Sequence, residues 1–202
     1  MSPGQLRRTV ALVAAANFAY FFVEFAVART IGSVSLLADS VDFLEDTAVN
    51  TLIFIALGWS LAARARTGKL MAIIICVPAV AAVWEAVAKF SSPEAPDPVS
   101  LILTAGGAIV VNAGCALLLA RVRHHGGSLS QAAFLAARND VAANAAIIVM
   151  GGLTAWTRSG WPDIALGLLI VVLNLSAARE VWEAATEEDL AAKALAGEFD
   201  DD

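Results

Sequence analysis

Cysteine, histidine and tyrosine are scarce in this chain: two Cys, two His and one Tyr in 202 residues. Cys76 and Cys115 both fall inside apolar stretches, where they read as small core residues and not as a disulfide framework or a thiolate metal site. No apolar segment pairs Ser with His, holds two His together or reads His-Glu-x-x-His, which argues against an intramembrane enzyme. Basic residues never gather into a patch interleaved with aromatics, so the footprint of a nucleic-acid binder is missing. A secretory leader is missing too. The first apolar run, from near Thr9, is too long for one and carries no clear cleavage site. Basic residues number 13 against 19 acidic, a net charge of −6. Much of that acidity follows Thr186, in Glu187, Glu188, Asp189, Glu198, Asp200, Asp201 and Asp202, so the sign says little about partners.

What the chain has in excess is apolar surface. Hydrophobic residues make up 59%, against about 45–50% in soluble domains, and a bilayer is the natural sink for the surplus. A span needs about 20 mostly apolar residues. Six segments qualify: Thr9–Ala28, Val34–Ala62, Leu70–Ala88, Val99–Ala120, Leu129–Thr154 and Pro162–Trp182. The expected fold is therefore an all-α membrane protein of six transmembrane helices. Residues 1–183 form the transmembrane domain, and residues 184–202 a short acidic tail that begins as a helical stub. Positive charge sets the orientation. With a cytoplasmic N-terminus the inner loops hold Arg7, Arg8, Arg64, Arg66, Lys69, Arg121 and Arg123, and the outer ones only Arg29, Lys89 and Arg158. Six spans then place both termini in the cytoplasm. Trp59, Trp84, Trp156, Trp161 and Trp182 all lie near span ends, as in an aromatic belt.

The second segment breaks the apolar rule. It reads Ser33-Val-Ser-Leu-Leu-Ala-Asp39-Ser-Val-Asp42-Phe-Leu-Glu45-Asp46-Thr-Ala-Val-Asn50. Each charge at a helix centre costs about 2.5–3.5 kcal/mol on insertion scales, so four acids in eight positions need a protein interior and a task. At roughly 100° per residue, Asp39, Asp42, Asp46 and Asn50 fall within about 80° of arc, with Glu45 on the flank. Asp42 and Asp46 are one turn apart, about 6 Å along the axis, and can converge on one ion. Two carboxylates that close repel, so a cation or a proton is expected between them.

The fifth segment offers a counterpart in Arg138-Asn139-Asp140-Val-Ala-Ala-Asn144, where Asp140 and Asn144 share a face. Asp42 and Asp46 lie about 10–20 Å from the outer end of their span, and Asp140 about 15 Å from the inner end of its own. In a core about 30 Å thick all three reach the midplane, the depth expected of a transporter site. The simpler alternative is a buried ion pair in which Asp140 or Glu45 neutralises Arg138. That accounts for one or two acids but not for a stripe.

These residues resemble the cation diffusion facilitators, a family that includes bacterial and animal zinc transporters. The resemblance runs over nearly the whole chain. It is carried by Asn17 and Glu24 in the first span, the signature Ser35-Leu-Leu-Ala-Asp39-Ser-Val-Asp42-Phe-Leu-Glu-Asp46, and the stretch from Glu85 to Glu94. Asn112, Asp163 and Gly167 add to it. The resemblance implies a multi-pass homodimer in a cell membrane, the bacterial inner membrane foremost, exporting a divalent metal in exchange for protons. It needs no organic cofactor.

The family's site takes two residues from the second span and two from the fifth, which here are Asp42 and Asp46, then Ala136 and Asp140. Ala136 replaces the usual His and removes the one certain nitrogen donor. The ligand set therefore becomes Asp42, Asp46, Asp140 and, one turn on, Asn144 through its carbonyl oxygen. Zinc favours nitrogen or sulfur among four ligands. An all-oxygen set makes Mn²⁺, Fe²⁺, Co²⁺ or Cd²⁺ credible beside Zn²⁺. Many relatives also carry a cytoplasmic domain after the sixth span, and this chain resembles those without one. Asp39 is expected near the outer mouth, and His124 and His125 in a cytoplasmic loop could hand metal to the site. Two rivals stand beside this reading: a metal-binding membrane partner or sensor that does not transport, and a proton-coupled exporter of small cationic compounds.

Overall fold

The computed structural model describes residues 3–56, 59–121 and 127–196. They fold into six helices: α1 (Pro3–Ile31), α2 (Val34–Ala56), α3 (Leu61–Lys89), α4 (Pro98–Ala120), α5 (Gly127–Thr157) and α6 (Trp161–Ala196), with no strand among the described residues. Each expected span is one helix, and the all-α membrane architecture holds. Five of the six are long and apolar enough to cross a bilayer. The exception, α2, has 23 residues, enough at 1.5 Å each for a core about 30 Å thick. Its four acids alone set it apart.

One boundary differs from the sequence reading. The second span was expected to run to Ala62 and the third to begin at Leu70, but α2 ends at Ala56 and α3 begins at Leu61. Ser60 is the reason. Its backbone is extended (φ −66°, ψ 154°) and its hydroxyl accepts from the Ala63 amide at 3.3 Å, capping α3. The first turns of α3 carry Arg64, Arg66 and Lys69, so hydropathy alone starts that span late. Other ends are set by equally local chemistry. Gly32 adopts φ +64° and lets the chain reverse between α1 and α2. Asp97 caps α4, accepting from the Ser100 amide at 2.8 Å with Pro98 at the first helical position. Hydrogen bonds from Ser100 hold its carboxyl below the usual carboxylate range.

The bundle is organised around α2, which packs against α1, α3, α5 and α6, while α4 lies on α1 and α5, and α3 pairs with α6. Polarity is reversed relative to a soluble protein. In α4 the outward residues are Leu103, Val110 and Leu117, while Asn112 is buried. In α3 the apolar Val77, Val80, Trp84 and Val87 face outward. Between helices already in lipid, close packing and small residues replace hydrophobic burial as the source of cohesion. Gly167 of α6 shows this. A Cβ there would fall 2.6 Å from the Val34 carbonyl carbon, so only glycine lets α6 approach the first turn of α2.

That contact is reinforced by a cap donated across helices. Asp163, in the first turn of α6, is 1% exposed. Its carboxylate accepts from the Val34 amide (2.7 Å), the Ser35 amide (3.2 Å), the Ser33 hydroxyl (2.7 Å) and the Ser35 hydroxyl (2.5 Å). The otherwise orphaned amides that begin α2 thus find their acceptor on another helix, with a negative charge at the positive end of the α2 dipole. At the opposite end of the bundle α6 continues unbroken past Trp182 and is tied to α3 by Lys69–Asp189 (2.8 Å) and Arg64–Glu188 (3.3 Å). The hydrogen bond from Lys69 holds the Asp189 carboxyl below its ordinary value.

Candidate cation site

The acidic stripe of α2 faces into the bundle between α1 and α5. Asp39 and Asn50 are fully buried, Asp46 is 5% exposed, and Asp42 and Glu45 are half-buried. Neighbouring helices supply amide side chains to the buried acids. Asn17 of α1 donates to Asp46 Oδ2 at 3.3 Å. Asn144 of α5 donates to Asp39 Oδ1 at 3.2 Å and to the Asp140 carbonyl at 3.0 Å. Asn50 donates to the Asp46 carbonyl at 2.8 Å, and Asn174 of α6 to the Ala38 carbonyl at 2.8 Å. Amides neutralise part of each acid's field without becoming ion pairs.

Asp140 is half-buried one turn before Asn144, and Asp42 lies within electrostatic reach of Asp140, Asp39, Glu45 and Asp46. The antiparallel α2–α5 packing explains the order. Asn144 meets Asp39 toward the Asp163 end, and Asp140, one turn earlier on α5, lies within electrostatic reach of Asp46, Asp39, Glu45 and Asp42. No His, Cys, Asp or Glu side chains are drawn together in threes into a ready metal cage among the described residues. Instead, Asp46 and Asp39 each take a hydrogen bond from a different amide.

Arg138 is exposed and forms no ion pair among the described residues. Two other basic residues near the bundle ends are held elsewhere: Arg29 by Glu85 at 2.9 Å, and Lys89 by the Gly32 carbonyl. The ion-pair alternative therefore gains no partner. His124 and His125 lie outside the described residues.

Four residues matter more here than the sequence reading allowed. Asn17 holds Asp46. Glu24, on the same face of α1 two turns on, is fully buried, with Asp39 and Asp42 as its charged neighbours. Their signal was available: two polar residues at i, i+7 in an apolar helix share one stripe. Asp163 and Asn174 act through α2's backbone, and nothing in their local sequence says which helix they reach.

Residues 69–187 match the family model described as the cation efflux transmembrane domain. The match takes in most of α3 through α6, with Asp140, Asn144 and Asp163; α1 and α2, with Asp39, Asp42 and Asp46, precede it. No curated protein matches the chain.

Proposed function

The chain belongs to the cation efflux family of transmembrane cation transporters, and on that premise we propose that it exports a divalent metal ion, Zn²⁺ foremost, in exchange for protons. Asp42, Asp46 and Asp140 with Asn144 are the ligands on this reading. Cd²⁺, Mn²⁺, Fe²⁺ and Co²⁺ are the alternatives that an oxygen-rich set admits. The observation that carries it is a set of acids from α2 and α5 within each other's electrostatic reach in an apolar bundle, with no ion pair to a basic side chain among the described residues. Acids so placed need a mobile positive charge. Ligating carboxylates must be deprotonated, so metal entering the site displaces protons, and protons arriving from the other side release metal.

The bundle then alternates its access around a fixed site. Cytoplasmic termini are supported by the clustering of Arg7, Arg8, Arg64, Arg66 and Lys69 toward one end of the chain's helices. Residence in a bacterial inner membrane as a homodimer rests on the family resemblance.

Transport into proteoliposomes loaded with a metal-sensitive dye tests the proposal. Asp46→Ala and Asp140→Ala are expected to lower flux at least tenfold, and an imposed pH gradient to drive it. Unimpaired flux in either variant sinks the ligand assignment, and flux indifferent to the gradient sinks the exchange. Metal binding without flux in the wild type selects the non-transporting partner instead.

A further inference from the structure

Residues 98–139 contain no Asp or Glu, yet they hold Arg121, Arg123, His124, His125 and Arg138. The stretch takes in all of α4 and the first turns of α5. Arg121 and Arg138 are both exposed. Neither makes an ion pair among the described residues. Arg121 closes α4 in helical geometry (φ −71°, ψ −24°). Arg138 lies five residues inside the apolar run Ala133–Thr157 of α5, about 7–8 Å past its start. A guanidinium at that depth of an apolar layer calls for an anion or for the headgroup rim.

The register of α4 on α5 brings the two together. The helices pack closely and antiparallel, and Leu119 shares a cluster with Ala133 and Ala137. Arg121 is two residues past Leu119 and Arg138 one past Ala137, so they stand within about two turns of each other along the pair. Helical side chains lean toward the N-terminus of their own helix. In an antiparallel pair that lean converges: Arg121 tilts into the apolar layer and Arg138 toward its rim. Each arginine also ends an outward apolar stripe. Val110 and Leu117 precede Arg121 on one face of α4, and Ala142 and Val149 follow Arg138 on one face of α5, all four exposed. We propose that the outer face of α4 and α5 is a docking site for an anionic phospholipid. The two guanidiniums take its phosphate from opposite sides, a match of both charge and geometry. The two stripes receive its acyl chains. An acid-free stretch of both helices leaves no carboxylate there to compete with the phosphate. The proposal takes nothing from the metal assignment.

Native mass spectrometry of the full chain in detergent, with phosphatidylglycerol and phosphatidylcholine added at equal concentration, tests it. Phosphatidylglycerol is expected to stay bound in preference to phosphatidylcholine. Arg121→Gln and Arg138→Gln are each expected to lower its retention about fivefold, the effect of one basic residue at a membrane surface. Arg66→Gln removes the same charge from an exposed residue of α3 at the same end of the bundle and is expected to leave retention unchanged. Equal retention of the two lipids by the wild type overturns the site and needs no variant. An equal loss in Arg66→Gln also overturns it, because net charge and not place then holds the lipid. A chain dimer that weakens in Arg138→Gln, with no lipid retained by the wild type, gives the face to a second copy and overturns the lipid as its occupant.

Discussion

Replacing Asp163 tests whether α2 is held from outside itself. In Asp163→Ala the Val34 and Ser35 amides and the Ser33 and Ser35 hydroxyls lose their shared acceptor at once. A single hydrogen bond to a charged group contributes about 1.5–3 kcal/mol, but four on one carboxylate do not add, because burying that carboxylate costs energy of its own. Part of the cap also survives: the Ser33 hydroxyl already accepts from the Leu36 amide at 3.2 Å. Removing one side of a buried charged network costs about 3–5 kcal/mol, which for a chain of this size lowers the melting temperature by roughly 6–20 °C. Asp163→Asn keeps one acceptor oxygen and most of the volume, so a loss of about 1–2 kcal/mol is expected, in the range of a weakened helix cap. Thermal unfolding in detergent, followed by tryptophan fluorescence, measures both. Hydrogen exchange at Val34–Leu37 should rise in the Ala variant before any change in α4. A shift below one degree for Asp163→Ala would falsify the cap as a structural element.

Two further outcomes follow from contacts at the helix seams. Gly167→Ala pushes a methyl group to 2.6 Å from the Val34 backbone and is expected to cost about 1–3 kcal/mol as overpacking. Gly106→Ala, with nothing within 4 Å, should gain up to about 1 kcal/mol from helix propensity; equal effects in thermal unfolding would contradict the seam. The Lys69–Asp189 contact is partly open to solvent, and Asp189's carboxyl is held down by Lys69. Its contribution is present above the ordinary carboxylate value near pH 4 and fades as the pH falls through the depressed one. A double-mutant cycle of Lys69→Met and Asp189→Asn should therefore show a small coupling at pH 7 that vanishes in high salt and at strongly acid pH. Coupling that survives 1 M salt refutes a solvent-screened pair.

The sequence carries the spans because each is a long apolar run, and it carries the stripe of α2 because four polar residues share a helical face. Periodicity is a local property, and both signals are local. What sequence could not supply is partnership between helices. Asp163 reads as an ordinary acid in a first helical turn, yet it serves the start of α2, 128–130 residues away. Asn144 was legible as a polar residue one turn from Asp140, but its hydrogen bond to Asp39 depends on the α2–α5 register. Asn17 and Glu24 were visible as a resemblance, and only packing shows that they stand against Asp46 and Asp39. The early start of α3 was missed for a different reason: a capping serine, not hydropathy, sets it.

The absence of a histidine at Ala136 raises the question of what softens the site, if anything does. Ala136 is half-buried one turn before Asp140 and adds no donor. The amides that approach the acids do so through Nδ2, so they stabilise carboxylates without supplying a nitrogen ligand. A soft atom close by is the thiol of Cys115 on α4, within electrostatic reach of Asp46 and Asp140. It is packed in an apolar cluster with Leu119, Ala133 and Ala137, a small core side chain in its surroundings. On the proposed ligand set the donors are all oxygens, and such a set discriminates weakly among divalent ions. Cys115→Ser is therefore expected to leave the ratio of Zn²⁺ to Mn²⁺ affinity unchanged within about twofold, measured by competition dialysis. A tenfold loss confined to Zn²⁺ would make the thiol a ligand and the site a zinc site of mixed donors.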